Sequence, residues 1–244
     1  MPSRFRSELD VEQLQLSNPF LEIENPQEWG PGSFHMALPL VRACRIEPGM
    51  RVLEVGAGSG QIATTLAKYF DVTVFTLEPW FGGEHVQMRA ADSGVWDRVV
   101  ALKTKAQELP FAEATFHAVI SIGSFEMIGD ERPQALAEMV RVARPGAYVG
   151  VAEPMCLART IPPEVAELDK AGAHGFEHHF RTVGWTAKLF EDAGLKVTQR
   201  IYFLDAWKWW IEYSPRTKEA ERALIKLDGG RWLSLGMVVG QKPA

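Results

Sequence analysis

From Arg51 to Val239 short apolar runs alternate with stretches whose apolar residues recur at helical spacing. Val52, Leu53 and Val55 form a compact apolar run, and Ile62, Leu66 and Tyr69 then share one helical face. This predicts a strand over 51–55 and a helix over 61–70. The same reading predicts strands over 72–77, 99–102, 117–122 and 148–152, with helices over 83–91 and 133–143. Pro48-Gly49 and Pro145-Gly146 mark turns. Strands alternating with helices imply a parallel sheet covered by helices on both faces.

The flanks differ from this core. Leu9, Leu14 and Leu16 give a weakly amphipathic pattern over 7–16, and the prolines and glycines of 18–32 read as a surface-crossing loop. Phe34, Leu38 and Val41 predict a helix over 34–44. After Glu153 the stretch 156–180 is irregular, with a helix over 163–171. Thr182 is placed as the N-cap of a helix over 183–193 that stops at Gly194. A strand over 196–204, an aromatic cluster, a helix over 217–227 and a last strand over 232–239 follow. The last two strands suit an antiparallel hairpin on the sheet edge. The expected class is α/β: a three-layer sandwich around a mostly parallel seven-stranded sheet with a terminal antiparallel hairpin and lid elements. Residues 1–46 are expected to form an N-terminal helical lid. The core would then occupy 47–244, with lid insertions near 155–182 and 205–228.

Composition narrows the partners. The 244 residues are 46% hydrophobic and 23% charged, with a formal net charge of -5, ordinary values for a globular chain. No long Lys/Arg run points to a nucleic-acid backbone. The first ten residues lack the pattern of a signal peptide, and no apolar run reaches the roughly 20 residues of a membrane span. Two distant cysteines, Cys44 and Cys156, do not make a disulfide framework or a thiol-rich metal site. The expectation is a cytoplasmic protein without nucleic-acid or membrane partners and without a metal, with a homodimer left open.

The chemistry concentrates where the first strand meets the first core helix. In Val52-Leu53-Glu54-Val55-Gly56-Ala57-Gly58-Ser59-Gly60 a buried strand runs into a glycine turn. Glycines there let the backbone approach a ligand closely, at the strand ends where open parallel sheets bind ligands. Glu78 closes the next strand, near the spacing at which an acid meets a ribose diol. A nicotinamide fingerprint, G-x-G-x-x-G, would need glycine at position 61, which is Gln61. Glu54 is also unusual beside a pyrophosphate, whereas a ligand with a cationic amino group would welcome it.

This segment resembles the first motif of the class I, Rossmann-like S-adenosylmethionine-dependent methyltransferases, and Glu78-Pro79 resembles their ribose-binding acid. The stretch 106–111, followed by 116–121, resembles their fourth-strand region. Residues 135–150, with the run Arg141 to Gly146, resemble the helix and turn before the fifth strand. The resemblance covers roughly 47–154 and is nearest the small-molecule branch related to ubiquinone-biosynthesis C-methyltransferases. It implies S-adenosylmethionine as cofactor. Glu54, Gly56, Ala57, Gly58 and Gly60 would hold its amino-acid part, Glu78 and Pro79 its ribose. Ala106, Gln107 and Ser121 would complete the site. Lys105 and His117 stand where relatives often carry Asp, so the adenine end departs from the usual pattern.

The expected reaction is SN2 transfer of a methyl group to oxygen, nitrogen or carbon of a small molecule. Much of the acceleration then comes from positioning, and a base is needed only if the acceptor loses a proton. Glu126 and His178 are the catalytic candidates, with His35, Glu153, His179 and Trp209 as substrate candidates. Each has a plainer reading: a capping acid, a polar lid or an aromatic packing element. A nicotinamide oxidoreductase and a non-catalytic cofactor-binding partner subunit remain as alternatives.

Overall fold

The computed structural model describes residues 18–80 and 82–244, so the helical pattern expected over 7–16 lies outside the described residues. The elements run α1 (Ser33–Ala43), β1 (Arg51–Val55), α2 (Gln61–Tyr69), β2 (Thr73–Leu77), α3 (Glu84–Asp92) and β3 (Val99–Leu102). They continue through β4 (Phe116–Ile122), a 3-10 turn (Phe125–Glu131), α4 (Arg132–Val142), β5 (Ala143–Cys156) and α5 (Pro163–Gly172). The chain then forms α6 (Phe176–His179), α7 (Val183–Asp192), β6 (Lys196–Tyr202), α8 (Ala206–Tyr213), α9 (Glu219–Asp228) and β7 (Leu233–Gln241).

The seven strands form one sheet in the order β3-β2-β1-β4-β5-β7-β6. The first five pair in parallel, and β7 runs antiparallel to both β5 and β6. The expected α/β sandwich with its antiparallel pair is therefore present. The last strand does not lie at the edge: it inserts between β5 and β6. Composition explains the order, because Leu233–Gln241 is buried along almost its whole length while β6 exposes Lys196, Thr198, Gln199 and Arg200. An apolar strand gains most from covered faces, and a charged strand suits the edge.

Alternate residues of β1 feed two cores. Val52 joins the layer formed by α1, α2 and α3, while Leu53 and Val55 join the layer formed by α4 and α7. Helix α1 comes close enough to β5 that a Cβ at Gly150 would sit 2.6 Å from Cys44 Sγ. Only a residue without a side chain fits there. Thr182 caps α7 as expected, its hydroxyl accepting from Trp185 N–H at 3.1 Å. The turn from α9 to β7 is tied by Asp228, fully buried, whose carboxylate accepts from the N–H groups of Gly230, Trp232 and Leu233, each at 3.0 Å.

Candidate active site

The parallel strands end on one side of the sheet, and a groove of about 490 Å³ opens there. Its floor begins at the β1–α2 turn. Gly56, Gly58 and Gly60 all have positive φ (91°, 51° and 78°). The need is sharpest at Gly56, where an added Cβ would fall 2.0 Å from Ser124 Oγ in the turn after β4. Gly56, Ala57 and Gly58 line the groove, while Gly60 turns the chain into α2 against Val86. Ala57 N–H donates to Leu77 O at 2.8 Å, locking the turn to the end of β2.

Glu78 follows directly and lines the groove with Pro79. It is 2% exposed, and its Oε1 accepts from Trp80 N–H at 2.9 Å. Ala106 and Gln107 line the groove from the loop after β3, with Lys105 beside them. Gln107 Nε2 donates to Glu131 Oε2 at 2.8 Å, which links this loop to the turn before α4. Glu54 lies beneath the floor. Its Oε2 accepts from Thr76 Oγ1 at 2.5 Å, its Oε1 has no partner, and burial pushes the acid up to about 8. Ser121 also lies beneath, its hydroxyl donating to Val55 O at 2.8 Å and tying β4 to β1.

At the other end of the groove two carboxyls meet. Glu126, just past β4, and Glu153, on β5, are 4% and 2% exposed and lie close enough for each to shift the other's acidity. Burial holds both acids above the ordinary carboxylate range, and the like charge of Glu126 adds to the rise at Glu153. Such a pair holds a proton in common. The buried Arg132 guanidinium pulls in the opposite direction. It is itself fixed by donating to Gly129 O at 2.7 Å and His179 O at 3.0 Å. Glu126 lines the groove; Glu153 supports it from behind.

The lid histidines separate in space. His179 lines the groove, and its Nδ1 lies 3.3 Å from Glu126 O, with burial lowering its pKa. His178 is exposed and lies outside the groove, in a shallow hollow with Asp169 and Arg181. Its ring meets that of His179 edge-on at 5.1 Å. His35 and Trp209 stack on each other at 4.6 Å behind the groove wall, and His35 Nε2 lies 3.5 Å from Glu212 Oε2. Among the described residues no group of three or more His, Cys, Asp or Glu is arranged to hold a metal ion.

The loop expected over 18–32 is a strap over the groove, and its anchors were not foreseen. Residues 25–29 are tied to α2 by Gln61, whose Oε1 accepts from Gln27 N–H at 2.7 Å and whose Nε2 donates to Asn25 O at 3.2 Å. On the lid side, Tyr213 Oη donates to Trp29 O at 3.0 Å, and Arg216 pairs with Glu28 at 2.9 Å. Gln61, the residue that breaks the nicotinamide fingerprint, thus anchors the strap. No local pattern marks these contacts, because the partners are far apart in sequence.

The fold and the strand-end groove define a Rossmann-like α/β protein. Residues 53–151 match the family described as methyltransferase domain. An uncharacterised protein of Mycobacterium tuberculosis is 41% identical over 119 residues, 48% of this chain and 42% of that protein. The ubiquinone/menaquinone biosynthesis C-methyltransferase of Geotalea daltonii is 29% identical over 117 residues, 46% of this chain and 49% of the relative. The matched segment thus spans less than half the length of either relative. Among solved structures, phosphoethanolamine N-methyltransferase 2 of Haemonchus contortus superposes with a TM-score of 0.74 at 16% identity, covering 97% of this chain and 60% of that one. At that identity the likeness concerns the fold.

Proposed function

We propose that this protein transfers a methyl group from S-adenosylmethionine to a small-molecule acceptor. The observation that carries the reading is one continuous groove. It joins the glycine turn, the Glu78 carboxylate and the Ala106-Gln107 loop to the buried Glu126.

The residues fit the cofactor. Glycines 56 and 58 leave room for close backbone approach. Glu78 offers carboxylate oxygens to ribose hydroxyls, and Ala106 and Gln107 offer a flat contact and a hydrogen-bonding amide to adenine. The unpartnered buried oxygen of Glu54 favours a cationic amino group nearby. The bound cofactor supplies an electrophilic methyl group on a sulfonium. The protein's share is to hold both reactants in line, exclude water beneath the strap and accept a proton where the acceptor loses one. Glu126 is the proton acceptor in this reading, with Glu153 and Arg132 setting its charge and His179 flanking it.

Among the described residues, 18–32 form a strap, and the segments near 155–182 and 205–228 act as lids on a core into which α1 packs. No helix among the described residues is long and apolar enough to cross a membrane. The buried thiols of Cys44 and Cys156 suit the cytoplasm, and the acidic balance suits a small molecule better than nucleic acid. A homodimer would show as a doubled mass in sedimentation.

Calorimetry with S-adenosylmethionine, S-adenosylhomocysteine and NADH tests the cofactor. Binding of the two adenosyl ligands without NADH is expected, and the reverse would sink the reading. A methyl-transfer screen against cell metabolites then separates an enzyme from a binding subunit.

A further inference from the structure

The acceptor half of the groove has a one-sided chemistry. Phe176, Phe180, Trp210 and Tyr213 wall it, and Phe176 stacks on Phe180 at 4.7 Å with Trp210 tilted 5.9 Å away. Four acids besides Glu78 line the groove, and among the described lining residues the only Lys or Arg is Lys105, beside the adenine-end residues Ala106 and Gln107. Two of the four are engaged, Glu28 by Arg216 and Glu131 by Gln107. Glu126 has Glu153 and Arg132 near its carboxyl, but it is 4% exposed and its Oε2 has no hydrogen-bond partner. Glu221, on α9 near His174, is held above its ordinary value by burial. Aromatic faces with nearby carboxyls attract cations, whereas an anion entering this end would meet acids and, among the described lining residues, no basic side chain but the imidazoles of His174 and His179.

We propose that the methyl acceptor is a primary or secondary amine carried on a flat apolar body. The aromatic wall takes the body, and the nitrogen hydrogen-bonds to the unpartnered Oε2 of Glu126. The inference rests on the methyl-transfer reading above. In the reaction the nitrogen lone pair forms the new bond to the methyl carbon. The carbon–sulfur bond breaks with its electrons left on sulfur, giving a thioether, and the proton lost by nitrogen passes to Glu126.

The test uses three simple probes: phenethylamine, p-cresol and phenylacetate. Each is titrated into the full chain with and without saturating S-adenosylhomocysteine. Phenethylamine is expected to bind at least about tenfold more tightly than either other probe, as a charge-assisted contact requires. Glu126→Gln should weaken it by about tenfold and leave S-adenosylhomocysteine affinity within about twofold. Glu221→Gln gives a second variant if the first does not fold, with a loss of several-fold expected. No phenethylamine binding, tighter binding of p-cresol or phenylacetate, or unchanged affinity in folded variants overturns the proposal. Failure of the wild type to bind S-adenosylhomocysteine would instead overturn the cofactor reading. The probe ranking without the nucleoside still decides the amine question.

Discussion

The carboxyls of Glu126 and Glu153 lie close enough for each to shift the other's acidity, although they come from the exits of different strands. Neighbouring strands in parallel register make this meeting unavoidable: Ile122 pairs with Ala152, one residue before Glu153 and four before Glu126. Two neighbouring acids excluded from water do not ionise together at low cost. Arg132 moderates the cost without removing it. In the proposed reaction this pair serves as the proton store.

Glu54 gives a pH dependence to stability. Burial raises its acid from 4.5 to about 8, so the folded chain keeps a proton that the unfolded chain releases between those values. Its stabilising contribution is complete below about pH 4.5 and falls as pH rises toward about 8. Between pH 5.5 and 8 the loss from this group is of the order of 3 kcal/mol at most. Urea unfolding at the two pH values should show a smaller loss for Glu54→Gln. An equal loss in both proteins would remove Glu54 as the source.

Glu78→Ala should leave the fold intact and weaken S-adenosylmethionine by roughly 1.5–3 kcal/mol, the worth of hydrogen bonds to a charged group. Calorimetry on the folded variant reads this directly. Near-normal affinity would show that the ribose is held elsewhere.

Gly56→Ala faces two obstacles, a φ of 91° and the approach of Ser124 Oγ to 2.0 Å from the new Cβ. A destabilisation of about 1–3 kcal/mol is expected from the backbone alone. Adding Ser124→Gly should recover only the part due to the collision. Thermal melts of the single and double variants separate the two, and full recovery would mean that backbone strain contributes nothing.

Asp228→Ala removes the acceptor for three backbone N–H groups in a buried turn. Each orphaned donor costs about 1–3 kcal/mol, so the variant should unfold at markedly lower urea concentration. A midpoint within error of wild type would show that water replaces the carboxylate.

The chain by itself determined the parallel core and the glycine-turn side of the groove. Their signals are local: apolar strands followed by amphipathic helices, glycines where the backbone turns tightly, and an acid closing the next strand. The helix over 163–171 and the Thr182 cap were legible for the same reason, since capping and helical periodicity act within a few residues. Only the tertiary structure decided that β7 lies inside the sheet, because strand order depends on which edges and faces remain to be covered. It also decided which histidine faces the groove. His178 and His179 are sequence neighbours, yet successive residues of a short helical turn point in different directions, and only His179 reaches the lining. The meeting of Glu126 with Glu153 and the anchoring of the strap by Gln61 likewise join residues 27 and 36 positions apart. Such contacts leave no periodic trace in the chain and arise only when strand register and helix packing are complete.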